Sequence, residues 1–530
     1  MTKRGWEMSR RTRNERDQRP ASSRPPSFES GVVAEPILAF GGGKQHIDPK
    51  TGLALYGPYT VTGQSRPTLT SIIAGIVGPA AMVSDARQWL DACSGMLTND
   101  GSQPFLYPHF PGFNENLPFQ CQIITGETWS EAIKGSEIES ALRPKDFYER
   151  VKAVAELYIR AISILAARDP RPSVILCCIP QDVIDVCTVR KHHPPPKRHL
   201  SSWERKALQK LRDGQKFLFA EFDPTAGDDD ITHQNLRRAI KAESMEFGIP
   251  TQLVWPATLA TISSDGKARS QDIATRAWNF TTALYHKAGG SPWRLADVDQ
   301  STCFVGIGFY REIGEQNPRL RTCMAQAFTS AGDGYVLRGN SFEWDETRGA
   351  SPHLDATTAS ALMRDILDLY QKQNRGSLPS RVVVHKTSRF WDDETTALLD
   401  AASLVPRVDL VALGSRHVQF YRAGDYPAVR GTYVKFSDSE FLVYATGYVP
   451  FLRTYPGARV PQPLDVLEHK GDTPWLTILT ELLALTKMNW NTADFACALP
   501  ITVAFARRVG QVLAEVPPTG VIRPEYRFYM

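Results

Sequence analysis

Short, almost unbroken apolar runs constrain this chain more than any other feature. Thr70–Val77 (TSIIAGIV), Ser173–Ile179 (SVILCCI) and Ser301–Tyr310 (STCFVGIGFY) are too continuous for strands with one wet face. Strands buried on both faces belong to parallel sheets covered by helices. Between these runs lie segments of helical character: Ser84–Ala92, the long amphipathic stretch Pro144–Ala167, and Asp355–Gln373. The expected class is therefore α/β.

At 530 residues the chain has room for two or more domains with sizeable cores. The longest apolar runs fall far short of the ~20 residues of a membrane span. The basic first residues are not followed by an apolar h-region, so no secretory leader is expected. The eight cysteines show neither metal nor framework spacing, and are expected as reduced core thiols of a cytoplasmic protein. Residues 1–24 hold eight Lys/Arg against Glu7, Glu15 and Asp17, while the whole chain is only +4. The body is thus close to neutral, which excludes nucleic-acid binding through a generally basic surface and leaves only a local cationic channel. Residues 1–34, polar and Arg-rich, are expected to be a disordered tail.

Order is expected from Glu35. Phe40-Gly41-Gly42-Gly43-Lys44 lacks the frame and the Gly-Lys-Ser/Thr end of a phosphate loop, and Asp48-Pro49, Thr51-Gly52 and Gly57-Pro58 mark an irregular lead-in. The histidines of Arg190–His199 (RKHHPPPKRH) are separated by prolines and have no carboxylate or thiolate to complete a metal shell. Asp223–Asp230 (DPTAGDDD) lacks the glutamate that closes a calcium loop. From Pro292 the order becomes three strands (Ser301–Tyr310, Ala325–Thr329, Tyr335–Arg338), a helix, the strand Arg381–Lys386 and the strand Val408–Leu413. The pair Tyr433–Phe436 and Phe441–Thr446 follows, with closing helices Pro474–Lys487 and Pro500–Leu513. That is the order of an RNase H-like α/β domain.

Chemistry concentrates in Asn235–Leu295. Arg237 and Lys241 stand at i,i+4 on one helix face, which Gly248 ends. Ile249–Val254 then forms a short buried strand carrying Gln252, and a second helix ends at Lys287 before Gly289-Gly290. Three cations and a carboxamide brought together in this way suit a compact anion such as a terminal phosphate. The competing interpretation is a solvated helix face, with Lys287 complementing a helix dipole.

Taken together, EPILAFGGGKQHIDPKTGLALYGPY, HFPGF, GIPTQLV, LYHKAGGSPWRL, FVGIGFYRE, VVVHK and LTKMNWNT…LPITVAFARRVG resemble a short prokaryotic Argonaute over residues 36–530. The resemblance implies a Rossmann-like MID domain with its lead-in (35–291) and an RNase H-like PIWI domain (292–530). It implies that Arg237, Lys241, Gln252 and Lys287 hold the 5′-phosphate of a guide, with Arg237 or His233 stacking on the first base. Met530 would close the pocket, its carboxylate and Gln252 joining guide phosphates around Mg²⁺.

Slicing members of the family hold two metals on PIWI carboxylates. Here those places look like Gly308 and Lys386, and the glutamate-finger region reads Gly332-Asp333-Gly334. Lys386 is then either a strand-end surface lysine or a duplex phosphate contact, and Lys487, Asn489 and Asn491 are candidate backbone contacts; Trp490 reads as core. The resemblance implies a protein that binds a small guide RNA and a single-stranded DNA target without cutting. An APAZ-domain effector, fused to a TIR or sirtuin-like NAD-degrading domain or to a nuclease, would supply the activity. The alternatives are a guide-directed nuclease with an unusual carboxylate set, and a small-molecule-binding α/β protein, against which the missing Gly-x-Gly-x-x-Gly counts.

Overall fold

The computed structural model describes residues 28–59, 69–99, 103–116, 118–187, 234–260, 272–299, 301–311, 320–326, 334–342, 352–414, 418–421, 423–457, 460–516 and 519–530. His233, the 190–199 histidine run, the 223–230 acidic stretch, Gly332 and Asp333 lie outside the described residues.

The chain begins with β1 (Glu29–Val32), β2 (Leu38–Ala39), β3 (Gln45–His46) and α1 (Pro49–Tyr56). A first α/β unit follows: β4 (Ser71–Pro79), α2 (Ala80–Ser94), β5 (Gln122–Ile124), β6 (Ser130–Ile133), α3 (Gly135–Ala141) and α4 (Phe147–Ala166). It continues through β7 (Val174–Cys178), α5 (Gln181–Cys187), α6 (Gln234–Ser244), β8 (Thr251–Val254), α7 (Pro256–Leu259) and α8 (Ile273–Lys287). Its sheet has the order β5-β4-β7-β8, with β6 also on β4, and every pairing is parallel. The fully buried run Val174–Cys178 is its centre, as a two-sided parallel sheet requires.

After β9 (Arg294–Leu295) comes β10 (Thr302–Arg311), β11 (Leu320–Gln326), β12 (Tyr335–Phe342), α9 (Ala356–Gln373), β13 (Arg381–Lys386), α10 (Asp392–Ala401) and β14 (Arg407–Gly414). β15 (Thr432–Lys435), β16 (Phe441–Val443), β17 (Leu464–Lys470), α11 (Trp475–Leu485) and α12 (Ile501–Leu513) complete the second unit. Its sheet runs β1-β15-β16-β17-β14-β13-β10-β11-β12, with β10, β13 and β14 parallel at the centre. Alternation divides the central strands between two cores. Phe304, Val383, Val411 and Leu413 face the side of α11 and α12, while Cys303, Val305, Val382 and Val384 face α9 and α10.

Two expectations need correction, and one strand was not expected. The tail does not extend to residue 34, because Glu29–Val32 pairs antiparallel with β15 and Val33 N–H donates to Gly431 O at 2.9 Å. The lead-in is not wholly irregular: Asp48 Oδ2 accepts from Thr51 N–H at 2.7 Å and Pro49 occupies the first helical turn, so Asp-Pro starts a helix here. The strand β17 (LDVLEHK) escaped notice because its charged residues hide the alternation, yet it bridges β14 and β16. The lead-in also joins the two units, since Lys50 Nζ donates to Leu106 O at 3.3 Å and Glu35 pairs with Arg430 at 3.1 Å. Among the described residues no helix is long and apolar enough to cross a membrane.

Candidate functional site

Helix α6 opens the site. Its face carries Arg237 and Lys241 one turn apart, and Gly248, at φ 66°, supplies the left-handed turn that releases the chain into β8. Gln252 stands buried on β8, with Thr251 and Val254 also buried and Leu253 half-buried. Lys287 is the last residue of α8, a helix capped at its start by Asp272, which accepts from Thr275 N–H at 2.9 Å. All four side chains line one cavity of about 320 Å³, together with Met530. The expected constellation is therefore assembled, and its lysines are not a solvated face: Lys241 is 1% and Lys287 3% exposed.

The two buried ammonium groups donate to neutral oxygens. Lys241 Nζ donates to Thr251 O at 3.0 Å, Lys287 Nζ to Gln252 Oε1 at 3.4 Å, and an Arg237 guanidinium nitrogen to Tyr529 O at 3.1 Å. Among the described residues that line the cavity there is no aspartate or glutamate. Burial, followed by repulsion from Arg237, pushes Lys287 down to about 7. Burial, followed by Lys287 and Arg237, holds Lys241 well below the usual lysine range. Such a site has an excess of positive charge that an incoming anion offsets.

Sequence reasoning missed Arg508, Gln511 and Arg276, which also line the cavity. Arg508 and Gln511 are three apart on α12 and share a face. The signal was the polar pair within the apolar period of ITVAFARRVGQVL, but only the tertiary fold carries α12 to α6. Arg276 lies over the Trp89 ring at 5.3 Å and donates to Ala257 O at 2.7 Å.

The LTKMNWN segment divides. Asn491 lines the cavity. Asn489 does not, and its amide donates to Cys497 Sγ at 3.2 Å. Lys487 is a correction: its ammonium is buried, lies 2.8 Å from Glu35 and sits 3.8 Å from the Phe495 ring centroid, so it bridges to the lead-in and offers nothing to a nucleic-acid backbone. Trp490 is core at 1% exposure.

Lys386 is a second correction. It is neither a surface lysine nor a phosphate contact, because its side chain is fully buried and donates to both Glu394 oxygens at 2.7 and 2.5 Å. Nor does it share a face with Gly308. Val382 and Val384 place even-numbered residues of β13 toward α9 and α10, whereas Phe304 places even-numbered residues of β10 toward α12. A Cβ at Gly308 would meet the Ala506 backbone and Cβ of α12 at 3.1 Å. On that face β13 presents His385, bonded to Thr502 Oγ1 at 2.8 Å, and the residue following the strand is Thr387.

No protein-family model matches the chain. Protein argonaute of Aquifex aeolicus (strain VF5) is 22% identical over 278 residues, which are 52% of this chain and 35% of that protein. Clostridium butyricum Argonaute bound to a guide DNA and a 19-mer target DNA superposes with a TM-score of 0.57 at 15% identity, covering 93% of this chain and 54% of that one. Drosophila Piwi gives 0.55 at 12% identity, covering 94% and 56%. The chain spans little more than half the length of these solved structures. Its fold is that of a MID unit followed by an RNase H-like PIWI unit.

Proposed function

We propose that this chain, an Argonaute homologue with the MID–PIWI fold, holds the 5′-phosphorylated end of a small guide RNA and pairs the guide with a single-stranded DNA target without cutting it. One observation carries the proposal: Arg237, Lys241, Lys287 and Arg508 line one cavity with no carboxylate side chain among them. A phosphate dianion supplies the missing counter-charge, with the guanidinium groups as forks and the ammonium groups as point charges. Gln252 offers the neutral side-chain oxygen in the same wall. These residues alone repel a divalent cation. Mg²⁺ at Gln252 and Met530 therefore fits only in the company of phosphate oxygens, and no step here depends on it.

The absence of cleavage is supported by the PIWI face that would carry two metals. Two-metal hydrolysis needs carboxylates holding cations about 4 Å apart. Gly308, His385 and Thr387 stand on or beside that face, and none is a carboxylate. Lys386 is committed to Glu394 on the opposite side.

A protein that recognises without cutting needs an effector to have consequences. The effector proposed is an APAZ-domain protein carrying a TIR or sirtuin-like NAD-degrading domain, switched on in the cytoplasm by target pairing, so that NAD depletion kills the cell invaded by foreign DNA such as a plasmid. An APAZ-fused nuclease is the second form of the same proposal. Purification of the chain from its host tests both: short 5′-phosphorylated RNA and an APAZ protein should co-purify, and guide-matched DNA should trigger NAD loss or DNA degradation. Cleavage of a guide-matched strand by the isolated chain in Mg²⁺ or Mn²⁺ would overturn the recognition-only function.

A further inference from the structure

We infer that Asn279 is a positioning residue: from the MID helix α8 it holds the PIWI loop 487–493 so that Asn491 stands in the cavity wall as a donor to the guide's 5′ end. The inference rests on the phosphate-binding role proposed above.

Between α11 and α12 the chain over 487–493 is neither helix nor strand, so no ladder pairs its buried backbone groups. Partners reach it from outside the PIWI unit. Ala493 is fully buried, and its N–H donates to Asn279 Oδ1 at 2.9 Å. Lys487 O accepts from Trp293 Nε1 at 3.0 Å, from the segment that joins the two units. Between these two anchors the buried Trp490 packs on His286, with ring centroids 4.5 Å apart. Asn279 and His286 are seven residues apart on α8, two turns along one face.

Asn491 sits inside this clamp. Its own N–H donates to Asn489 Oδ1 at 3.1 Å, and two residues later Asn279 fixes the chain again. The Asn491 side chain lines the cavity with Lys287 and Arg508. Its amide brings two protons for the oxygens of a phosphate or sugar. Holding the loop in place before the ligand arrives removes an ordering cost that binding would otherwise carry. Helix α8 therefore serves the cavity twice, with Lys287 as a charge and Asn279 as the support of a residue from the other unit. The cavity is complete only when the MID and PIWI units are docked.

A double-mutant cycle on the full chain tests this, with affinities measured for a labelled 5′-phosphorylated RNA oligonucleotide and its 5′-hydroxyl counterpart. Asn279→Ala and Asn491→Ala should each weaken binding about tenfold, the scale of one hydrogen bond to a charged group. Asn279→Ala should have no further effect when Asn491 is already Ala, because its support then has nothing to present. Additive losses would overturn the inference, since Asn279 would be acting without Asn491. Asn491→Ala at wild-type affinity would overturn it as well, and that variant keeps the Asn279 contact, so it decides the matter even where Asn279→Ala unfolds. In both cases a retained preference for the 5′-phosphorylated strand leaves the phosphate role standing. Equal binding of the two strands by the wild-type chain would overturn the phosphate role and the inference with it.

Discussion

The MID cavity and the PIWI interior bury cations in opposite ways. In the PIWI unit each named buried cation has a carboxylate. Lys386 lies on Glu394, Arg381 lies 2.6 Å from Asp409 and pairs with Glu481, and Arg430 pairs with Glu35 at 3.1 Å. In the cavity Lys241 and Lys287 are buried as deeply, yet among the described residues no aspartate or glutamate lines the walls. Removing an ion from water costs several kcal/mol, which a folded protein ordinarily offsets with an internal partner. Where the partner is internal the cation is architecture, and where it is missing the proposed function keeps the cation for a ligand. That difference separates Lys386 and Lys487 from Lys241 and Lys287, which a count of lysines cannot.

The contrast makes predictions that can break it. Lys386→Ala leaves Glu394 buried without its ammonium and should cost roughly 3–5 kcal/mol in denaturant unfolding. If Lys386→Ala unfolds at the wild-type midpoint, the pair is not structural. Replacing Lys241 and Lys287 together by Ala should weaken 5′-phosphorylated guide binding at least about 100-fold, which is about 2.7 kcal/mol. That variant should unfold no earlier than wild type, because it removes like charges from a desolvated site. A loss of stability on the scale of Lys386→Ala would erase the distinction between the two regions.

The smallest effect is expected at Glu35, which is only partly buried. Burial acts to raise its carboxyl pKa, but Arg430 and Lys487 outweigh this and hold it below the usual carboxylate value. Its contribution is therefore complete above the ordinary carboxylate range and is lost as pH falls through the lowered value. Glu35→Gln should cost about 1–3 kcal/mol at pH 7, with the difference from wild type shrinking in acid. A constant difference from pH 7 to pH 3 would show that the charge is not what holds the lead-in.

What could be read from the sequence follows from periodicity and local chemistry. Val174–Cys178 had to be a central parallel strand because no position in it is polar, and Gly248 had to end a helix because only a left-handed residue turns the chain there. Arg237, Lys241, Gln252 and Lys287 were legible as a group, since one helix–strand–helix unit carries them all within 51 residues of sequence. The tertiary structure alone decided what required long-range pairing. Arg508 comes to the cavity from a helix more than 200 positions away, and β1 joins a sheet edge some 400 residues downstream. Which face a lysine takes at a strand end depends on the pleat of its neighbours, so Lys386 could not be assigned before β13 was placed between β10 and β14. The sequence determined which short elements carry the cations. Only the fold decided which of them brought their own anions.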